Sequence, residues 1–201
     1  QEKTLTIFNN FDFVLKKSTG KYFLWIAHDD LRDTNYIKKL VSSLENDSKS
    51  ILAFGDLKYL NDKENKKINF DFQTEKKNIL NRIIKTSFIQ CFHIYGVWKT
   101  EYVKKLSFNG TSWWGDLPFM MGACCLGTFK YVPGTNFYYL DYKKLSKERI
   151  YDQDLKENYN IIFIIISLIV SGYKSVTKVG GVALGLISAI LISMKVFGLI
   201  F

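Results

Sequence analysis

The sequence predicts an α/β fold, and three observations carry that prediction. Residues 22–27 form an uncharged apolar run without clean alternation, as expected of a strand covered on both faces. An amphipathic helix follows, with Tyr36, Ile37, Leu40, Val41 and Leu44 at helical spacing. Residues 50–60 then read as a second apolar strand, ended by a polar turn over 61–67. Within the helix, Asp33 or Thr34 is the expected N-cap, because a side-chain oxygen there can accept from the first free backbone N–H groups. Later, Pro118 suits the first turn of a helix running through Met120, Met121 and Cys124, with Asp116 as its cap.

The apolar run that starts after Gly20 stops at the adjacent carboxylates Asp29 and Asp30. In α/β sheets ligands bind beyond the carboxyl ends of the strands. Two acids placed there can hold a hard divalent cation, which neutralises a diphosphate. The plainer alternative is a turn and a helix cap.

Composition shifts after Asn160. Residues 161–170 carry no charge, and residues 179–201 have Lys195 as their only charge. The second segment meets the ~20 residues that a spanning helix needs, so it is expected to cross a membrane, with 161–173 as an interfacial helix. A two-span hairpin is the alternative, but it would place the cationic 174–178 segment outside, against the usual bias. Gly181 and Gly185 form a Gly-x-x-x-Gly pair that would admit a second helix, giving a homodimer through the C-terminal helix.

The formal charge is +9 and the pI about 9.3. The Lys residues behind it are scattered and accompany no nucleic-acid motif, so an anionic leaflet and a phosphate-bearing substrate are the expected partners rather than nucleic acid. Cys91, Cys124 and Cys125 lack metal-type spacing and suit reduced thiols on the cytoplasmic side.

Gly20-Lys-Tyr-Phe, the Trp-containing strand, Asp29-Asp30, then Tyr36-Ile37 and Leu40 together resemble the family 2 glycosyltransferases of the GT-A fold. Asn9 to Gly20 resembles the segment that leads into that strand in the bacterial polysaccharide branch, and the likeness extends over roughly residues 9–142. It implies a partial GT-A (Rossmann-like) domain over 1–158 followed by a membrane-associated region over 159–201, at the cytoplasmic face of the inner membrane. It also implies inverting transfer of a sugar from a nucleotide-sugar donor to a lipid-linked or polysaccharide acceptor, dependent on Mn²⁺ or Mg²⁺. Asp29 matches the second acid of the family's Asp-X-Asp signature and Asp30 its extension, whereas Ala27 stands where the first acid belongs. These matches assign Asp29 and Asp30 to the metal, and Asp30 also to the donor. His28 is a nitrogen ligand or a hydrogen-bonding residue.

Inverting transfer needs a separate base for the acceptor hydroxyl. Asn109 to Gly122 resembles the family's acceptor-side segment and places Asp116 at the base, and residues 126–140 resemble the family's next strand and the one after it, which implies two strands there. Trp113 and Trp114 either stack on sugar faces or pack a loop. Lys99 takes the basic place near the acceptor, and Lys143, Lys144, Lys147 and Arg149 either touch the diphosphate or are solvated. The family's nucleotide-binding half would precede Gln1, so the chain is expected to be the later part of such a domain. Two rival readings remain: a membrane-anchored GT-A-like protein without chemistry, and a metal-dependent phosphohydrolase using Asp29, Asp30 and the two His residues.

Overall fold

The computed structural model describes residues 5–60, 67–68, 74, 77–108, 114–140 and 161–198. The chain runs through α1 (Ile7–Lys17), β1 (Tyr22–Phe23), β2 (Leu31–Arg32), α2 (Tyr36–Glu45), β3 (Ser50–Tyr59) and β4 (Lys67–Ile68). There follow α3 (Ile79–Ser87), a 3-10 turn (Phe92–Tyr95), β5 (Val97–Lys99), α4 (Thr100–Val103), α5 (Asp116–Leu126) and β6 (Thr128–Tyr139). Two helices, α6 (Ile161–Gly180) and α7 (Val182–Val196), complete it. The sheet order is β1-β5-β3-β6-β2, with β4 also on β3. Only β3 and β6 run parallel; the other pairs are antiparallel, so the sheet is mixed rather than wholly parallel.

β3 lies centrally and is buried along most of its length, which is why it reads as a continuous apolar run. At Gly55 the neighbouring strand comes so close that an added Cβ would lie 1.8 Å from the Thr135 carbonyl oxygen. The β3–β6 register shifts at this point, and β6 is a single irregular strand rather than two. Helix α2 buries Tyr36, Leu40 and Leu44, one line at four-residue steps. Aromatic rings fill the core between α1, β5 and α5: Phe108 stacks on Phe119 at 4.3 Å, and Trp25 meets Phe11, Trp98 and Phe119.

Several expectations change. β1 is two residues long and lies at the edge of the sheet, not in its middle. Beyond Phe23 the chain leaves the sheet, because Trp25 turns into the aromatic cluster at 4 % exposure while Ile26 is 65 % exposed. Helix α2 begins at Tyr36 without a side-chain cap. Asp33 is engaged elsewhere, accepting from the backbone and side-chain N–H groups of Asn136 at 2.8 and 2.9 Å and from the Tyr138 hydroxyl at 3.2 Å. Asp116 is the first residue of α5, and Gly115 holds the cap position. The turn residues 61–66 and the cluster Lys143, Lys144, Lys147 and Arg149 lie outside the described residues.

The apolar C-terminal run is broken at Gly181, whose φ of +87° is readily open only to glycine. α7 therefore has 15 residues, about 22 Å of helix against a hydrocarbon core of roughly 30 Å. Among the described residues no helix is long and apolar enough to cross a membrane. α6 packs on α5 and α7, while α7 also contacts α3. Leu168, Val176 and Ile192 join the main core. Gly185 serves this intramolecular contact: a Cβ there would stand 1.9 Å from Thr177 Oγ1 and 3.1 Å from the Tyr173 carbonyl. Within this chain Gly181 makes the turn and Gly185 the close approach of α7 to α6.

Candidate active site

The acid pair sits on the connection from β1 to β2, where β2 pairs with the end of β6 through Leu31 and Tyr138. The bonds from Asp33 to Asn136 and Tyr138 fix that pairing, and with it the position of Asp30. Asp30 is 9 % exposed and accepts from the Leu140 backbone N–H, while its Oδ1 has no hydrogen-bond partner among the described residues. Burial, followed by the charge of Asp29, pushes its pKa up to about 6, against the pull of Arg32. Arg32 is itself held in place, donating to the Trp25 carbonyl at 3.2 Å and lying over the Phe137 ring at 4.9 Å. The Asp29 side chain is 20 % exposed; His28, at 93 %, stands free in solvent with Nδ1 3.9 Å from Asp29 Oδ1.

Two mutually repelling carboxylates, one with an unsatisfied buried oxygen, fit part of the coordination of a hard cation. Among the described residues no group of three His, Cys, Asp or Glu is placed to hold one. The pair therefore fits a cation that takes its remaining ligands from phosphate and water, the usual arrangement for Mg²⁺.

Asp116 occupies a different environment. It is buried at the start of α5, where the N–H groups of Leu117 and of Asp116 itself point at its carboxylate. Burial raises its pKa; those N–H groups and the charge of Lys195 lower it. Lys195 reaches over from α7, donates to the Ile89 carbonyl at 3.1 Å, and has its own pKa lowered by burial.

Asp116 and Lys195 line a cavity of about 700 Å³ together with Phe8 and Phe11 of α1, Cys91, Tyr95, Trp114 and Tyr139. Tyr95 lies within electrostatic reach of both acid sites: burial raises its pKa first, and the charges of Asp30, Asp116 and Asp29 add to that. Tyr139 lines the same cavity, and the adjacent Leu140 donates its backbone N–H to Asp30. Two residues of the cavity wall, Tyr95 and Tyr139, thus connect Asp116 with the acid pair.

Of the residues expected at the site, Asp116 and Trp114 line this cavity, and Asp29 and Asp30 do not line it but lie within electrostatic reach of its Tyr95. Trp114 lines it at 49 % exposure with φ +49°, a left-handed conformation that a bulky side chain rarely adopts. Trp113 lies outside the described residues. Lys99 does not come to the site: it lies on β5 opposite Tyr22, and its Nζ donates to the Asp47 carbonyl at 2.8 Å, beside the first residue of β3 rather than the last. His93 is in the core between Phe54 and Phe129, where burial lowers its pKa to about 3 and keeps it neutral. With His28 in solvent and His93 in the core, the phosphohydrolase reading loses both of its histidines.

Sequence reasoning missed Tyr95, Lys195 and the α1 rings. Lys195 did carry a signal, as the lone charge in a long apolar run, which requires a partner or an exit to water.

No protein-family model matches the sequence, and no curated protein does. Among solved structures, the crystal structure of TarS 1-349 from S. aureus, a family 2 glycosyltransferase, is similar in fold. The TM-score is 0.53 at 11 % identity, over 95 % of this chain and 71 % of that one. The fold is glycosyltransferase-like. A mixed sheet with helices packed on it is common to the described residues and to this reading.

Proposed function

We propose that the chain carries the acceptor side of a glycosyl transfer, with Asp116 as base and the Asp29–Asp30 pair holding the donor diphosphate through a divalent cation. The observation that carries this reading is the cavity of about 700 Å³ with Asp116, Tyr95 and Tyr139 in its wall, Tyr95 lying within electrostatic reach of Asp29, Asp30 and Asp116 alike. Inverting transfer requires a base and a diphosphate-binding acid site on opposite sides of one reacting carbon.

In this reading the acceptor hydroxyl enters the cavity and gives its proton to a carboxylate oxygen of Asp116 as the hydroxyl oxygen bonds to the anomeric carbon. The bond from that carbon to the diphosphate breaks, and its electrons leave with the diphosphate. A cation bound at Asp29 and Asp30 would supply charge neutralisation for this leaving group. The charge of Lys195 opposes the rise in pKa that burial imposes on Asp116, and Trp114 offers a ring face to a sugar. The apolar lining from Phe8 and Phe11 suits an acceptor with an apolar portion.

The test is Asp116→Asn in the full-length protein, with acceptor-dependent release of nucleoside diphosphate measured over a panel of nucleotide sugars. Turnover should vanish while donor binding stays near that of the parent; retained turnover overturns the assignment. The second reading, a GT-A-like protein without chemistry, is favoured by one observation: Ala27 leaves the pair without a third acid. It predicts that Mn²⁺ does not increase nucleoside diphosphate binding.

A further inference from the structure

We infer that the α6–α7 hairpin is an in-plane membrane-docking surface for an anionic lipid leaflet, lying on the bilayer instead of crossing it. Among the described side chains of α6 the exposed ones are Ile166, Val170, Lys174 and Lys178, a single line at four-residue steps. Val182, Leu186 and Ile190 on α7 and Phe197 just past its end are 54–65 % exposed. The opposite faces are taken up inside the molecule, through Leu168 and Val176 on α6 and Gly185, Ser188 and Ile192 on α7.

The one charge of α7 points away from this surface. Lys195 reaches to the Ile89 carbonyl beside Asp116, leaving the outward line of α7 wholly apolar. The turn at Gly181 sets the Lys174 and Lys178 end of α6 beside the start of α7, so the apolar surface has a cationic margin. Apolar helix faces with basic residues at their border are suited to lie at the headgroup boundary, and α7, at 15 residues, is too short to span.

Charge selects the occupant. The chain carries a formal +9, which an anionic leaflet complements and a second copy of the same chain would oppose. The inference does not depend on the chemistry at Asp116, although α7 is shared between the two surfaces. Docked in this way, the helix that supplies Lys195 to the cavity would also rest on the lipid.

The test is flotation of the full chain with vesicles of phosphatidylcholine alone and with about a third phosphatidylglycerol, at low and high salt. Binding is expected to the anionic vesicles and to weaken with salt. Leu186→Gln with Ile190→Gln should reduce it at least tenfold with an unchanged circular dichroism spectrum, because both side chains face outward. Lys174→Glu with Lys178→Glu should weaken it as well, by roughly fivefold per lysine. Absence of binding to anionic vesicles overturns the inference, as does binding unaffected by the Gln pair. A concentration-dependent dimer that the Gln pair dissociates, without vesicle binding, would assign the face to a second copy.

Discussion

The two acid sites of this chain are made from the same side-chain chemistry and are held in opposite ways. Asp30 is crowded by a second carboxylate and keeps one buried oxygen without a partner. Asp116 is alone, satisfied by helix N–H groups and balanced by a lysine brought from the far end of the chain. The first arrangement adds a second negative charge to the cost of burial, and the second offsets part of that cost with donors and a cation, although burial still holds the Asp116 pKa above its ordinary value. Environment therefore distinguishes two carboxylates that composition alone cannot tell apart.

The largest expected effect comes from collapsing this difference at Asp116. A general base contributes about 10²–10⁴ in rate, so Asp116→Asn should reduce turnover by that factor without altering Mn²⁺-dependent donor binding. Asp30→Asn should do the reverse in binding assays, lowering the joint affinity for Mn²⁺ and a nucleoside diphosphate by at least about tenfold, a little over 1 kcal/mol of cation–carboxylate attraction. Calorimetric titration of both variants distinguishes the two; a variant that moved both quantities equally would break the comparison.

Asp30 also has a stability signature. Its folded pKa of about 6 lies above its ordinary 3.8, so the folded state holds its proton more tightly than the unfolded one. Folding is then most favoured below pH 4 and loses this contribution as pH rises from about 4 to about 6. Asp30→Asn should accordingly gain thermal stability above pH 6 and none at pH 4. The site is partly open, so the gain is about 1 kcal/mol or less after solvent screening, roughly 2–4 °C in a melting scan.

Much of the fold was legible in the sequence where a single physical requirement governs a segment. β3 is apolar over residues 51–55, where it is covered on both faces, and it spans Ser50–Tyr59 against an expected 50–60. The buried line Tyr36, Leu40, Leu44 followed from helical spacing. Legibility failed where a distant residue decides. Asp33 looks like a cap, but Asn136 claims it across the sheet. Residues 22–27 look like a central strand, but the packing of Trp25 ends the strand after Phe23. Residues 179–201 look like a span because apolar helices that cover a core and those that cross a bilayer share a composition; the break at Gly181 is a backbone property. At the site, Asp29, Asp30 and Asp116 were readable as acids flanked by aromatic and apolar signals. Tyr95 and Lys195 join them only through tertiary contact.

Lys195 provides the finest test of the contrast, because it acts on one acid and not on the other. The groups that face Asp116 electrostatically are Lys195 and Cys91, with Tyr95 beyond them, and of these only Lys195 lowers its pKa. Removing that charge in Lys195→Met leaves burial dominant, so the Asp116 pKa rises further. A base works ionised, and the rate should therefore climb with pH through a midpoint displaced to the alkaline side of the parent's. The deficit should be largest at acidic pH and should close as pH rises, with Lys195→Arg returning the profile toward the parent's. Asp30 is not among the groups that Lys195 influences, so the pH dependence of Mn²⁺-supported nucleoside diphosphate binding should remain unchanged. A uniform loss of rate at every pH would mean that Lys195 only holds α7 against Ile89, leaving the helix N–H groups alone to oppose the effect of burial on Asp116.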